Sequence, residues 1–216
     1  MKRTTLYCLA VLAGMLLAGS SPTIGAAQAD PAAVARARAD SARHPYTDAD
    51  IRFMSGMIHH HAQAIVMARW APSHGAGAAV QTLAARIINA QTDDIRLMQT
   101  WLRDRNQAVP EPNPKGMTMD MGGMKHEMLM PGMLTGEQMS RLDAARGTDF
   151  DRLFLSFMIQ HHQGAVAMVK DLFGSYGAGQ DETVFKFASD VNVDQTTEIE
   201  RMRKMLAAVV FEPGGP

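Results

Sequence analysis

Apolar residues recur at spacings of three and four along several stretches of the chain, and this periodicity predicts a set of amphipathic helices. The first long one covers about 47–71: Thr47, with Asp50 three residues later, suits a helix start, and Pro72 ends it. The second, about 78–105, sets Val80, Leu83, Ile87, Ile88, Gln91, Ile95, Met98 and Leu102 along one face. After the breaks at Pro110, Pro112 and Pro114, a short helix is predicted over 135–145. The third long helix runs from Thr148, with Asp151 repeating the cap, to about Phe173, where Gly174, Gly177 and Gly179 stop it. The fourth covers about 182–210. Strand-like alternation is missing over any useful length, so an all-α fold is expected.

The long helices are two copies of one unit. Phe53-Met54-Ser55-Gly56-Met57-Ile58-His59-His60-His61 returns 101 residues later as Phe154-Leu155-Ser156-Phe157-Met158-Ile159-Gln160-His161-His162. Gln91, Asp94, Ile95, Met98 and Leu102 are answered by Gln195, Glu198, Ile199, Met202 and Leu206 at an offset of 104. A lone amphipathic hairpin leaves its apolar faces uncovered, so the copies are expected to close on each other as a four-helix bundle. This gives hairpin one at 47–105, a linker at 106–134, and the short helix with hairpin two at 135–210, with 47–210 a single domain.

The first 29 residues are expected to be a targeting segment. Lys2 and Arg3, the apolar run Leu6–Leu17 and the small-x-small triplet Ala27-Gln28-Ala29 have the pattern of a cleaved signal peptide. The run is too short for a permanent span, and Ser20 stands where a lipid-bearing cysteine would be needed. The mature chain is therefore expected in the periplasm or outside the cell, without a stable membrane anchor and with 30–46 as a polar lead-in. Loss of Lys2 and Arg3 from 21 basic side chains leaves 19 against 22 acidic, a net of −3 that gives no reason to expect nucleic acid as a partner. Cys8, the only cysteine, leaves with the leader, so any sulfur ligand must be one of the chain's 18 methionines.

On a helical wheel at about 100° per residue, His60 and His61 fall within about 60° of Met57, on the arc that also holds Met54, Ala64 and Met67. His59 falls about 160° away and is expected to face solvent. The repeat makes the same selection, matching His60 and His61 to His161 and His162, and His59 to Gln160. Met57 precedes the two histidines by three and four residues, so either pair can reach one ion from a single face; Met158 stands likewise before His161 and His162. Met67 is about 10 Å along the axis from His60 and, like Met168, belongs to the core or to a neighbouring site. A lone histidine on an apolar face is usually a hydrogen-bonded core residue, and a methionine stripe is usually packing. Four inward histidines change the balance, because each needs its own buried partner while desolvation opposes its ionisation. Metal binding is the better reading for the quartet, whereas His44 and His74, alone in loop-like sequence, are read as structural.

The linker adds sulfur. Met117, Met119, Met121, Met124, Met128, Met130 and Met133, with His126, fall within 17 residues. Their spacing suggests neither helix nor strand, and Gly116, Gly122, Gly123, Pro131 and Gly132 predict a flexible loop. A hydrophobic flap would also use other aliphatic residues, yet Leu129 is the only one there. Thioethers select Cu(I), and less commonly Ag(I), over zinc or iron, so the segment reads as a copper-catching arm.

At these residues the chain resembles a known family. Met57-Ile58-His59-His60-His61 and Met158-Ile159-Gln160-His161-His162, with the later Gln91, Asp94, Ile95, Met98, Trp101 and Leu102, resemble the exported helical proteins of domain of unknown function 305, over about residues 47–210. The resemblance implies a ferritin-like four-helix bundle and, for some members, periplasmic copper binding with a role in copper resistance. The proline common before the family's histidine pair is replaced here by His59 and Gln160, so no metal role passes to those two.

The expected function is an extracytoplasmic copper-binding protein, not an enzyme, that scavenges, buffers or passes on Cu(I) through Met and His ligands. Cu(II) at the histidines stays open, as does another copper-handling protein as partner. A di-iron oxidase needs Glu-x-x-His on two helices, and none occurs. A copper oxidase would need a cysteine-containing electron-entry site or a docked partner. Haem is open only for b-type binding, since Cys-x-x-Cys-His is missing. A bundle whose histidines merely pack is the remaining alternative. Because imidazoles take up protons at about pH 6.5 and thioethers do not, the histidine share of binding is expected to weaken by about pH 5 while the linker's share survives.

Overall fold

A computed structural model describes residues 30–32, 46–121 and 124–211. The expected signal peptide, most of the expected lead-in with His44, and Gly122 and Gly123 lie outside the described residues, as do the side chains of Met119, Met121, Met124 and His126. Helices α1 (Asp48–Trp70) and α2 (Ala78–Asp104) form one hairpin. Strands β1 (Met117–Met121) and β2 (Met124–Met128) follow, then α3 (Gly136–Ala144), and α4 (Gly147–Gly174) pairs with α5 (Glu182–Phe211). The backbones of the two hairpins approach along α1 and α4 and stay further apart between α2 and α5. The fold is an all-α four-helix bundle carrying a small antiparallel ribbon. Among the described residues no helix is long and apolar enough to cross a membrane.

Thr47 caps α1 through a reciprocal pair: its hydroxyl accepts from the Asp50 N–H at 3.3 Å, and Asp50 Oδ2 accepts from the Thr47 N–H at 2.7 Å. The expected copy of this cap at Thr148 does not form; α4 starts at Gly147 with no side-chain cap. Asp151 instead accepts from the Gly77 N–H at the start of α2 with both oxygens, at 3.2 and 3.0 Å, so its carboxylate is turned towards the other hairpin. Asp50 makes the matching tie, its Oδ1 accepting from the Gly179 N–H ahead of α5 at 2.8 Å. Each hairpin's first helix thus holds the other hairpin's turn.

Apolar side chains gather in two clusters. One holds Phe53, Met57, Ile95, Trp101, Val169 and Phe187; the other holds Met67, Leu83, Ile87, Phe150, Phe154 and Met158. N-terminal residues of α1 thus share a cluster with C-terminal residues of α4, so the two helices run antiparallel. The changeover falls between Ile87 and Ile95 on α2, Met158 and Ala165 on α4, and Val191 and Ile199 on α5. At that level stand His60, His61, Gln91, His161, His162 and Gln195, all buried. A polar layer cuts the core in two.

The linker is not the strandless loop its glycines suggest. Met117 pairs with Met128, Met119 with His126 and Met121 with Met124, while Thr118 pairs with Glu127 and Asp120 with Lys125. Donor positions face donor positions across the ladder at the strand period of two. That period is hidden in the methionine spacing because His126 takes the place of one thioether.

Both ends of the linker are rooted on one side chain of α1. Gln63 Nε2 donates to the carbonyls of Pro114 at 2.9 Å and Leu134 at 3.0 Å, and its Oε1 accepts from the Leu134 N–H at 2.6 Å. His59 corrects the wheel's expectation: it is buried, and its Nδ1 accepts from the Asn113 N–H at 3.2 Å. The linker covers the face of α1 that helical periodicity alone assigns to solvent. On α4 the seat is Gly164, where a Cβ would stand 1.9 Å from the Pro131 carbonyl oxygen. Gly164→Ala is expected to lift the linker end off α4 and lower stability by about 2–4 kcal/mol in urea denaturation. Gly174→Ala, with no atom within 4 Å of its Cβ, is the control, and equal tolerance of the two would contradict this seating.

Candidate metal centre

α1 and α4 cross at His60 and His161, whose ring centroids lie 3.8 Å apart. His61 and His162 flank them, at 6.4 Å from His60 and 6.3 Å from His161 respectively. Adjacent positions on a helix diverge by about 100°, so each pair offers one ring to the crossing and one towards the second helix of its own hairpin. The small Ala64 and Ala165 lie one turn beyond, and all four histidine side chains are 0% exposed.

The outer rings meet carboxylates. His61 Nε2 lies 3.1 Å from Asp94 Oδ2, and His162 Nε2 lies 2.7 Å from Glu198 Oε2. His60 Nε2 lies 3.0 Å from the Pro131 carbonyl oxygen. Each partner is an acceptor, so each of these Nε2 atoms carries the proton and each Nδ1 is left as a lone pair. Those three Nδ1 atoms are buried with no hydrogen-bond partner among the described residues, and neither nitrogen of His161 has one. The side-chain carbonyls of Gln91 and Gln195 are in the same condition.

An unsatisfied buried polar atom costs about 1–3 kcal/mol, so a layer with five such ring nitrogens is a poor core and a ready set of ligands. Burial also holds His60, His161 and His162 neutral. His60 is lowered to about 3, by desolvation first and His61 next, against its hydrogen bond to Pro131. His161 is held well below its ordinary value by desolvation and then by His60; the His60 carbonyl weakly opposes this without reaching hydrogen-bond geometry. Desolvation lowers His162 as well, although Glu198 opposes it. Metal binding requires this unprotonated state. Among the described residues no three His, Cys, Asp or Glu side chains converge as a closed cage, so the layer offers pairs of nitrogens.

The predicted sulfur donors are distributed unevenly. Met54, Met57 and Met158 are fully buried near the layer, and Met67 is fully buried in the core beyond it. Met168 and Met130 both approach Gly56, the Met168 terminal methyl lying 3.5 Å and the Met130 Cγ 3.6 Å from the site of its absent Cβ. Met130 and Met133 are buried where the linker meets the bundle, and the Met130 N–H donates to Met133 Sδ at 3.4 Å. Met117 is half-buried and Met128 exposed.

The family model described as domain of unknown function DUF305 matches residues 50–206. The chain belongs to the DUF305 family. Among solved structures it is similar to a candidate secreted DUF305 protein of Streptomyces coelicolor, at 28% identity over 74% of this chain and 93% of that one, TM-score 0.60. It is similar also to a DUF305 fragment from Deinococcus radiodurans, at 28% identity over 76% and 98%, TM-score 0.61. A third likeness is to CopM in its Cu(I)-bound form, at 28% identity over 74% and 96%, TM-score 0.54; CopM is known in Cu(II)-bound and Ag-bound forms too. No curated protein matches the chain.

Three partners in this DUF305 chain escape a ligand search by residue type: Asp94, Glu198 and the Pro131 carbonyl. The first two did leave a signal, an acid three residues after the repeated glutamine in both copies. The Pro131 contact left none, since it depends on where the linker lands. His74 is structural: buried, with Nε2 3.0 Å from both Asp143 Oδ1 and the Asp143 carbonyl.

Proposed function

We propose that this DUF305 protein binds copper outside the cytoplasm, holding Cu(I) in the histidine layer and gathering it with the linker methionines. The observation that carries the reading is the set of buried, unpartnered Nδ1 lone pairs whose opposite nitrogens are tied to Asp94, Glu198 and Pro131. A carboxylate on the far nitrogen fixes the ring and raises its basicity as a ligand. His60, His61, His161 and His162 would supply nitrogen, and Met57, Met158 and Met54 sulfur. A soft monovalent ion is satisfied by such a set where zinc would want four convergent donors. The likeness to copper- and silver-bound CopM supports the choice of ion. Copper here is cargo, and the paired donor positions of the ribbon, with Met130 and Met133 at its root, suit capture beside the store.

The test is a Cu(I) competition titration of three forms of the mature chain: intact, lacking 117–128, and with all four histidines replaced by alanine. Each variant is expected to lose a different part of the intact protein's copper. If neither loses any, copper binding through these donors is wrong.

A further inference from the structure

We propose that the groove between α2 and α5 is the entrance through which hydrated cations reach the histidine layer, a role that rests on the copper reading above. The backbones of α2 and α5 stand further apart than those of α1 and α4, and a groove of about 710 Å³ lies between them. Asp94 of α2 and Asp190, Asp194 and Glu198 of α5 line it. Asp94 and Glu198 are also the hydrogen-bond partners of His61 and His162. Their side chains keep 32% and 21% of their exposure while the rings keep none, so these carboxylates are where solvent ends and the layer begins.

Acids alone would make only a solvated face. The second observation is that Gln91 and Gln195, more than nine-tenths buried, also line the groove, and that each has a side-chain carbonyl with no partner. Two such oxygens, on groove-lining residues at the level of the histidines, can replace part of a cation's hydration shell. Asp194 has its carboxyl raised above the ordinary range by burial and then by Asp190, Glu198 and Asp94, a crowding of negative charge that a cation relieves. Arg86, Lys186 and Arg201 also border the groove, but all three are exposed, and Lys186 is tied to Asp190. The opposite approach is occupied, since Pro131 lies on His60. No three carboxylates converge on one point among the described residues, so the groove suits passage and not storage.

The experiment compares the mature protein with the Asp190→Asn/Asp194→Asn double variant, neither residue being a proposed ligand. In a chloride-free nitrate buffer, Ag(I) serves as a redox-stable soft probe; its association rate is expected to fall about 5–10-fold at low ionic strength and to lose most of its salt dependence. The amount of Ag(I) bound at equilibrium should stay the same. In parallel, Mn(II), which needs no thioether, should broaden the amide resonances of residues 90–97 and 190–198 ahead of all others, and do so no longer in the variant. Equal Ag(I) rates in the two proteins, or Mn(II) broadening spread over the surface, overturns the entrance. Groove-selective Mn(II) broadening with no Ag(I) uptake at the histidines overturns the copper reading and leaves the groove only a cation-attracting surface.

Discussion

His161→Leu is expected to leave the metal-free protein as stable as before, or more stable, while Cu(I) affinity at the bundle falls about 100-fold or more. His161 is fully buried and neither of its nitrogens has a partner, so leucine of similar size removes no hydrogen bond and relieves two unsatisfied polar atoms. An ordinary core histidine behaves in the opposite way, because its replacement orphans whatever it was bonded to. His74→Leu supplies that comparison: it strips Asp143 and Ser73 of their contacts and should cost about 1–3 kcal/mol with no effect on copper. Urea denaturation in the presence of a chelator reads the stability, and Cu(I) competition reads the affinity. A His161→Leu protein that is destabilised like His74→Leu and binds copper normally would show that the layer merely packs.

The second large effect is with pH. Metal-free protein is expected to lose stability steeply as pH falls below about 6.5. The folded values of His60, His161 and His162 are lowered, that of His60 to about 3, whereas the unfolded chain takes up protons near 6.5. Protons therefore bind the unfolded state preferentially. Stability is complete above about pH 6.5 and is lost towards the folded values, by up to about 1.4 kcal/mol per pH unit for each ring. The histidine share of binding is still expected to weaken with acid, but because burial opposes protonation of His60, His161 and His162 in place, it weakens as the bundle opens. Cu(I), binding the folded form alone, should move the acid transition to lower pH. Acid titration followed by circular dichroism, with and without Cu(I), checks both statements, and a stability flat from pH 7 to pH 4.5 would contradict them.

Much of the fold was legible because helices announce themselves locally. Period, cap and stop residues placed all five helices to within a residue or two, although the cap expected at Thr148 does not form, and the repeat dictated that two hairpins must cover each other. What escaped depends on contacts between distant segments. Asp151 looks like a cap on its own helix, and nothing nearby in sequence says that Gly77 will claim both of its oxygens. His59 lies on the solvent side of the wheel, and only the return of Asn113 buries it. The β1–β2 ribbon was masked by glycines that signal a loop and by His126 interrupting the methionines. For the candidate site, the inward position of His60 and His61 followed from geometry on one helix, while their partners Asp94 and Pro131 required knowing which element packs alongside.

The most direct measurement is anomalous diffraction at the copper edge from crystals of the mature protein loaded with Cu(I). The buried, tautomer-fixed imidazoles predict a peak within the polar layer, in contact with Nδ1 of at least one histidine from α1 or α4 and with a methionine sulfur. Copper seen only on the β1–β2 ribbon or elsewhere at the surface, with the layer empty in fully loaded crystals, would contradict the assignment of that layer as the store.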